Sequence, residues 1–229
     1  MIRIPMMLAA ITLSVAAPAD AQTPPTAAEV AAYRGLHAAA AKGDVAEIQR
    51  LARDGARLNE TDAKSRTALH VAAFQAKPDA VRALLALGVD TAILDYERYD
   101  AVTIASVANE VPTLQALLAG GASAKLTTSR YDGTALIASA HLGHVGVVDA
   151  LIRAGAPLDH VNNLGWTALI EAVILGDGGT RHTEIVRLLT AAGANRTIAD
   201  RQGRTPLDLA RERGYAAMVR LLDAPRPRD

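Results

Sequence analysis

One short phrase recurs six times along this chain, and its spacing leaves few folds open. It reads Arg34-Gly35-Leu36-His37-Ala38-Ala39, then Thr67-Ala68-Leu69-His70-Val71-Ala72, then Asp100-Ala101-Val102-Thr103-Ile104-Ala105. It returns as Thr134-Ala135-Leu136-Ile137-Ala138-Ser139, as Thr167-Ala168-Leu169-Ile170-Glu171-Ala172 and as Thr205-Pro206-Leu207-Asp208-Leu209-Ala210. The starts lie 33, 33, 34, 33 and 38 residues apart. A unit of that length cannot bury its apolar face alone, so neighbouring units must stack and share one core.

Each unit carries the same local instructions. Thr67, Thr134, Thr167 and Thr205 stand where a helix needs an N-cap, and Asp100 serves in the third unit. Pro206 follows Thr205 at the first helical position, where its missing N–H does no harm. Small residues and a short turn follow, and then a second helix with apolar residues at i, i+3 and i+4. Val81, Leu84 and Leu85, Leu114, Leu117 and Leu118, and Val148, Leu151 and Ile152 are the clearest sets. Gly55, Gly88, Gly121, Gly155 and Gly193 sit where a left-handed residue ends each second helix. The loops after them close on Asp62, Asp95, Asn162 and Asp200.

The period and the phrase resemble the ankyrin repeat. The resemblance implies an all-α solenoid of about six helix–turn–helix units joined by short β-hairpins, spanning residues 34–223, with units starting near 34, 67, 100, 134, 167 and 205. Two departures stand out. The family histidine is present only at His37 and His70, so its hydrogen-bond network is expected to be missing from much of the stack. Arg98 replaces the usual hairpin glycine, so the third hairpin is expected to differ in shape. The fifth unit has about five extra residues around Gly176–Thr180, expected to bulge from the turn between its helices.

The ends read differently. Arg3, the apolar run Ile4–Ala17 and Ala19-Asp20-Ala21 form a signal peptide over residues 1–21, with cleavage expected before Gln22. That points to the periplasm, with secretion beyond the cell as the alternative. Residues 22–33 read as a linker and the start of a capping helix, because Thr26 and Glu29 have capping-box spacing. Residues 224–229 read as a polar tail. The chain has no cysteine, and 24 basic residues balance 24 acidic ones, so nothing in the charge favours nucleic acid or an anionic membrane. After signal cleavage no membrane contact is expected, and the chain is expected to be a monomer.

No catalytic, cofactor or metal motif emerges. His141 and His144 have i, i+3 spacing but no third ligand, and Gly176–Gly179 lacks the strand and lysine of a phosphate loop. The chain therefore reads as a non-enzyme with a protein partner. The resemblance places partner contacts at hairpin tips and on the exposed part of each first helix. Mapped onto this sequence, that surface includes Arg66, Phe74, Tyr96, Tyr99, Arg130, Tyr131, His141, Trp166 and Arg204. Five of the seven aromatic residues fall there, and Tyr, Trp and Arg are common interface anchors. A narrower expectation comes from the resemblance to exported bacterial ankyrin proteins, which implies support for an exported enzyme, for example one handling peroxide; the residues themselves name no partner. Two alternatives remain. One is a ligand-binding, metal-binding or hydrolytic protein using the loop 176–184, with Asp177, His182 and Glu184. The other is an inhibitor or immunity protein.

Overall fold

The computed structural model describes residues 22–225, so the expected signal segment and the tail beyond Pro225 lie outside the described residues. A short α1 (Ala27–Ala32) precedes six helix pairs. They are α2 (Gly35–Lys42) with α3 (Val45–Arg53), α4 (Ala68–Phe74) with α5 (Pro78–Ala86), and α6 (Ala101–Val107) with α7 (Val111–Ala119). Then come α8 (Ala135–Leu142) with α9 (Val145–Arg153), α10 (Ala168–Ile174) with α11 (Thr180–Ala191), and α12 (Pro206–Glu212) with α13 (Ala216–Asp223). The first helices pack in one row and the second helices in another, each unit against its neighbours. This is the expected solenoid.

Local chemistry accounts for the helix starts. The side chains of Thr67, Thr134, Thr167 and Thr205 each accept the N–H three residues on, and Asp100 accepts that of Thr103 at 2.9 Å. Thr26 and Glu29 make the expected capping box. The core is built from Ala, Val, Leu and Ile, with Leu84, Leu114, Leu117, Val148, Leu151 and Leu189 fully buried. Close packing of such small residues lets the helices approach one another.

The connecting hairpins are reduced. Among the described residues there is no strand, only two isolated bridges, Thr61 to Thr67 and Thr128 to Gly133. Side chains hold the tips instead. Oδ1 of Asp62, Asp95, Asn162 and Asp200 each accepts two backbone N–H groups, from the residues two and four positions on. This turn chemistry satisfies donors that a longer ladder would otherwise take.

Two expectations need correction. The third hairpin does not differ in shape: Arg98 adopts φ 67°, much as Ser65 does at 58°, and the Asp95 N–H still reaches the Tyr99 carbonyl at 2.9 Å. The fifth-unit insertion does not simply bulge. Part of it lengthens α11 to 12 residues against nine in α9, and the rest is tied down. The Tyr215 hydroxyl donates to the Gly176 carbonyl at 3.0 Å, and the Arg213 guanidinium donates to that of Ile174 at 3.0 Å.

The histidine brace is partly replaced. His37 reaches the Arg66 carbonyl at 2.8 Å and His70 reaches that of Tyr99 at 3.1 Å, linking consecutive units. Farther along, other histidines link units: His144 reaches the Ser106 carbonyl at 3.0 Å, and His182 reaches that of His141 at 3.0 Å.

Candidate partner-binding surface

The hairpin tips form one continuous ridge because the first four are bonded each to the next through main chain. The Tyr96 N–H donates to Lys64 O at 2.9 Å, Ser129 N–H to Arg98 O at 2.8 Å, and Asn163 N–H to Tyr131 O at 2.9 Å. The Arg201 guanidinium extends the series by donating to the Asn163 carbonyl. Residues spaced one repeat apart on the tips therefore fall on neighbouring positions of the ridge.

The site residues expected from the sequence divide by exposure. Tyr96 is 80% exposed and is the most exposed large side chain of apolar character. Arg130 is exposed, and Tyr131 and His141 are half-buried. Phe74, Tyr99 and Trp166 pack against the core with part of each ring uncovered. Arg204 is half-buried, held by Asp200 at 2.8 Å and Glu212 at 3.3 Å.

Arg66 is a correction. It is only 2% exposed, and its guanidinium is held by Asp62 at 2.7 Å and Glu29 at 2.9 Å. Its side chain is turned inward, where it fastens the N-terminal segment. That segment covers the tips of units two and three. Thr23 donates its N–H and hydroxyl to the Glu97 carboxylate at 2.9 and 2.8 Å, and the Tyr33 hydroxyl donates to Asp62 at 2.8 Å. A pocket of about 150 Å³ remains between Thr23, Lys64, Arg66, Asp95, Tyr96 and Glu97. The open part of the ridge therefore begins at Tyr96 and runs toward unit six.

The sequence reading missed a polar cluster beside the ridge. Glu171 stands on α10 where other units carry Val71, Ile104 and Leu209, and it is 4% exposed. Its Oε1 accepts from Asn162 Nδ2 at 3.1 Å. The amide orientation is fixed, because Asn162 Oδ1 accepts two backbone N–H groups. Oε2 is buried without a hydrogen bond, 3.6 Å from His141 Nδ1. Burial pushes the Glu171 carboxyl up to about 7, offset in part by the Asn162 amide. Burial, with the His182 imidazole close by, holds His141 below the usual histidine range. The signal was available in the sequence: Asn162 replaces the aspartate of Asp62, Asp95 and Asp200 in the one unit that buries a glutamate.

Of the segment 176–184, residues 176–179 form the turn and residues 180–184 open α11. His182 is buried between the His141 carbonyl and Asp177, 3.2 Å away, while Glu184 pairs with Arg187. Among the described residues no three His, Cys, Asp or Glu side chains converge as a metal site requires.

Comparison with known proteins agrees with this architecture. Ankyrin-repeat family profiles match residues 36–85 and 102–195. A putative ankyrin repeat protein of Escherichia coli K12, YahD, is 31% identical over 187 residues, covering 81% of this chain and 92% of its own length. The crystal structure of an ankyrin repeat domain from Acinetobacter baumannii superposes with a TM-score of 0.77 at 42% identity, covering 82% of this chain and 95% of that one. A chain in the solved structure of a predatory endopeptidase from Bdellovibrio bacteriovorus in complex with an immunity protein has a TM-score of 0.67 at 22% identity, covering 83% of this chain and 97% of that one, a likeness of fold alone. Six stacked helix pairs, first helices capped by threonine in four units and by Asp100 in a fifth, tips tied in four units by one acidic or amide side chain, and a relative matched over most of its length give one answer: this chain belongs to the ankyrin repeat family.

Proposed function

We propose that the protein is an exported, non-enzymatic interaction module that holds a protein partner on the ridge from Tyr96 to Arg204 and the adjoining ends of the first helices. Ankyrin repeats mediate protein–protein interaction, and the tips of this stack present exposed side chains such as Tyr96 and Arg130. The observation that carries the reading is the ridge itself: Tyr96, Tyr131 and Trp166 lie on tips tied in sequence by main-chain bonds, with Arg130 and Arg204 beside them. Rings so placed supply contact area at low ordering cost, and arginine is a common interface anchor beside them. The signal-like residues 1–21 support a periplasmic setting. An exported enzyme, such as one in peroxide defence, fits that setting as partner, and so does a toxin to be neutralised.

Affinity capture from periplasmic extract with mass spectrometry tests this. The wild-type chain should retain a defined partner that the double variant Tyr96→Ala/Tyr131→Ala, still fully helical, releases. Equal retention of that partner by the double variant would remove the ridge from the account, and its identity separates an enzyme from a toxin.

A further inference from the structure

The segment that covers the tips of units two and three opens on a buried residue that is poorly satisfied. Gln22 is 8% exposed, and its Nε2 is buried without a hydrogen bond. A buried amide nitrogen left unpaired costs free energy. Yet the residue is not a fraying end. Thr23 gives its N–H and its hydroxyl to the Glu97 carboxylate at 2.9 and 2.8 Å, and Pro24-Pro25 leads stiffly into the capping box of α1. A residue held in place with an unpaired donor calls for an explanation.

The sequence supplies one. On the reading that residues 1–21 are removed at export, which this inference shares with the proposed function, Gln22 is the first residue of the mature chain. A glutamine there carries a free α-amine and a side-chain amide at the spacing that closes a five-membered ring. We propose that Gln22 is a modification site: it is converted to pyroglutamate, and the neutral ring seats with Thr23 at the tip of unit three.

The chemistry needs no other reactant. The α-amine lone pair attacks Cδ, a nitrogen–carbon bond forms, and the Cδ–Nε2 bond breaks. Nε2 takes a proton given up by the amine nitrogen and leaves as ammonia. Nothing is oxidised or reduced. Only the neutral amine attacks, and an α-amine loses its proton near a pH of about 8, so ring closure quickens as pH rises toward that value.

The product suits the site better than glutamine on two counts. It lacks Nε2, the atom that has no partner there. It also lacks the α-ammonium, a full charge that a residue so little exposed does not keep hydrated. The carboxylate at hand is already engaged, because each oxygen of Glu97 accepts from Thr23. The seated ring closes the N-terminus to aminopeptidases and keeps the segment over units two and three, which leaves Tyr96 as the start of the open ridge.

The first test is the intact mass of the protein purified from the periplasm of a Gram-negative host that expresses the full chain. The mass should equal that of residues 22–229 less one ammonia. A mass for residues 22–229 with the glutamine intact overturns the inference and leaves export standing. A chain that starts elsewhere overturns the inference and the cleavage reading together. The second test follows the step itself in the mature chain, released by a protease with Gln22 newly exposed and held near a pH of about 8. As ammonia is lost, exchange of the Thr23 amide with water should slow about tenfold by NMR, while the amides of α8 to α13 stay unchanged. Thr23 exchange that is the same before and after ring closure overturns the seating. Gln22→Ala has no side-chain carbonyl to close on and should keep the faster exchange; a Thr23 amide as slow in that variant as in the cyclised chain overturns it as well.

Discussion

At the scale of single residues, the largest departure from a plain repeat is Glu171. Its counterparts Val71, Ile104 and Leu209 are fully buried and apolar, so a carboxyl there must be neutral or lose solvation. Its ordinary value of 4.5 is raised to about 7 in the fold, so between those values the folded state binds more protons than the unfolded chain. Stability is therefore full below the lower value and falls as pH rises through the higher one. Glu171→Leu should abolish this slope. Denaturant titrations near pH 5 and pH 8 should show the wild type losing about 2–3 kcal/mol relative to the variant. A parallel pair of curves would contradict the assignment. His70 acts at the other end: burial lowers it to about 4, so stability falls as pH drops from 6.5 through that value. Caps were legible in the sequence because each depends on residues three apart. Glu171 was harder to see, because its meaning lies in comparing one unit with the next.

At the scale of elements, the helices were readable and the connections less so. Helix faces follow from i, i+3 and i+4 spacing, and Leu84 and Leu151, placed in the core on that ground, are fully buried. Either one changed to alanine should cost roughly 2–5 kcal/mol by thermal or denaturant melting. The hairpin at Arg98 shows that tertiary context can hold a non-glycine residue at positive φ without altering the turn. Left-handed backbone disfavours L-residues, while glycine makes the unfolded chain freer, so the two effects partly cancel. Arg98→Gly should stabilise by about 0.5–1 kcal/mol, since its ion pair with Asp132 is exposed. A melt showing a loss would contradict the strain argument. The N-terminal segment was not legible. Thr23 and Glu97 are 74 residues apart, and no local pattern encodes their meeting. For the same reason Arg66 looked like a surface anchor until Glu29 and Asp62 were seen to enclose it.

At the scale of the whole molecule, the helices of each unit pack chiefly on those of its neighbours, so stability should be close to a sum over units and interfaces. Ending the chain after Asn195 removes unit six and uncovers α10 and α11, which pack against it. The truncated chain should keep its helical signal per residue and melt at a lower temperature; complete unfolding would show a longer-range cooperativity than this packing implies. A one-dimensional stack also separates two faces. The tips and first-helix ends carry the rings, while the second helices present exposed polar positions such as Arg82 and Gln115. Site-specific photo-crosslinking in living cells distinguishes the faces most directly. A photoreactive residue at Tyr96 or Tyr131 should yield one defined crosslinked protein, and the same residue at Arg82 or Gln115 should yield none. Equal crosslinking from both faces, or crosslinking from the second helices alone, would contradict a partner held on the ridge.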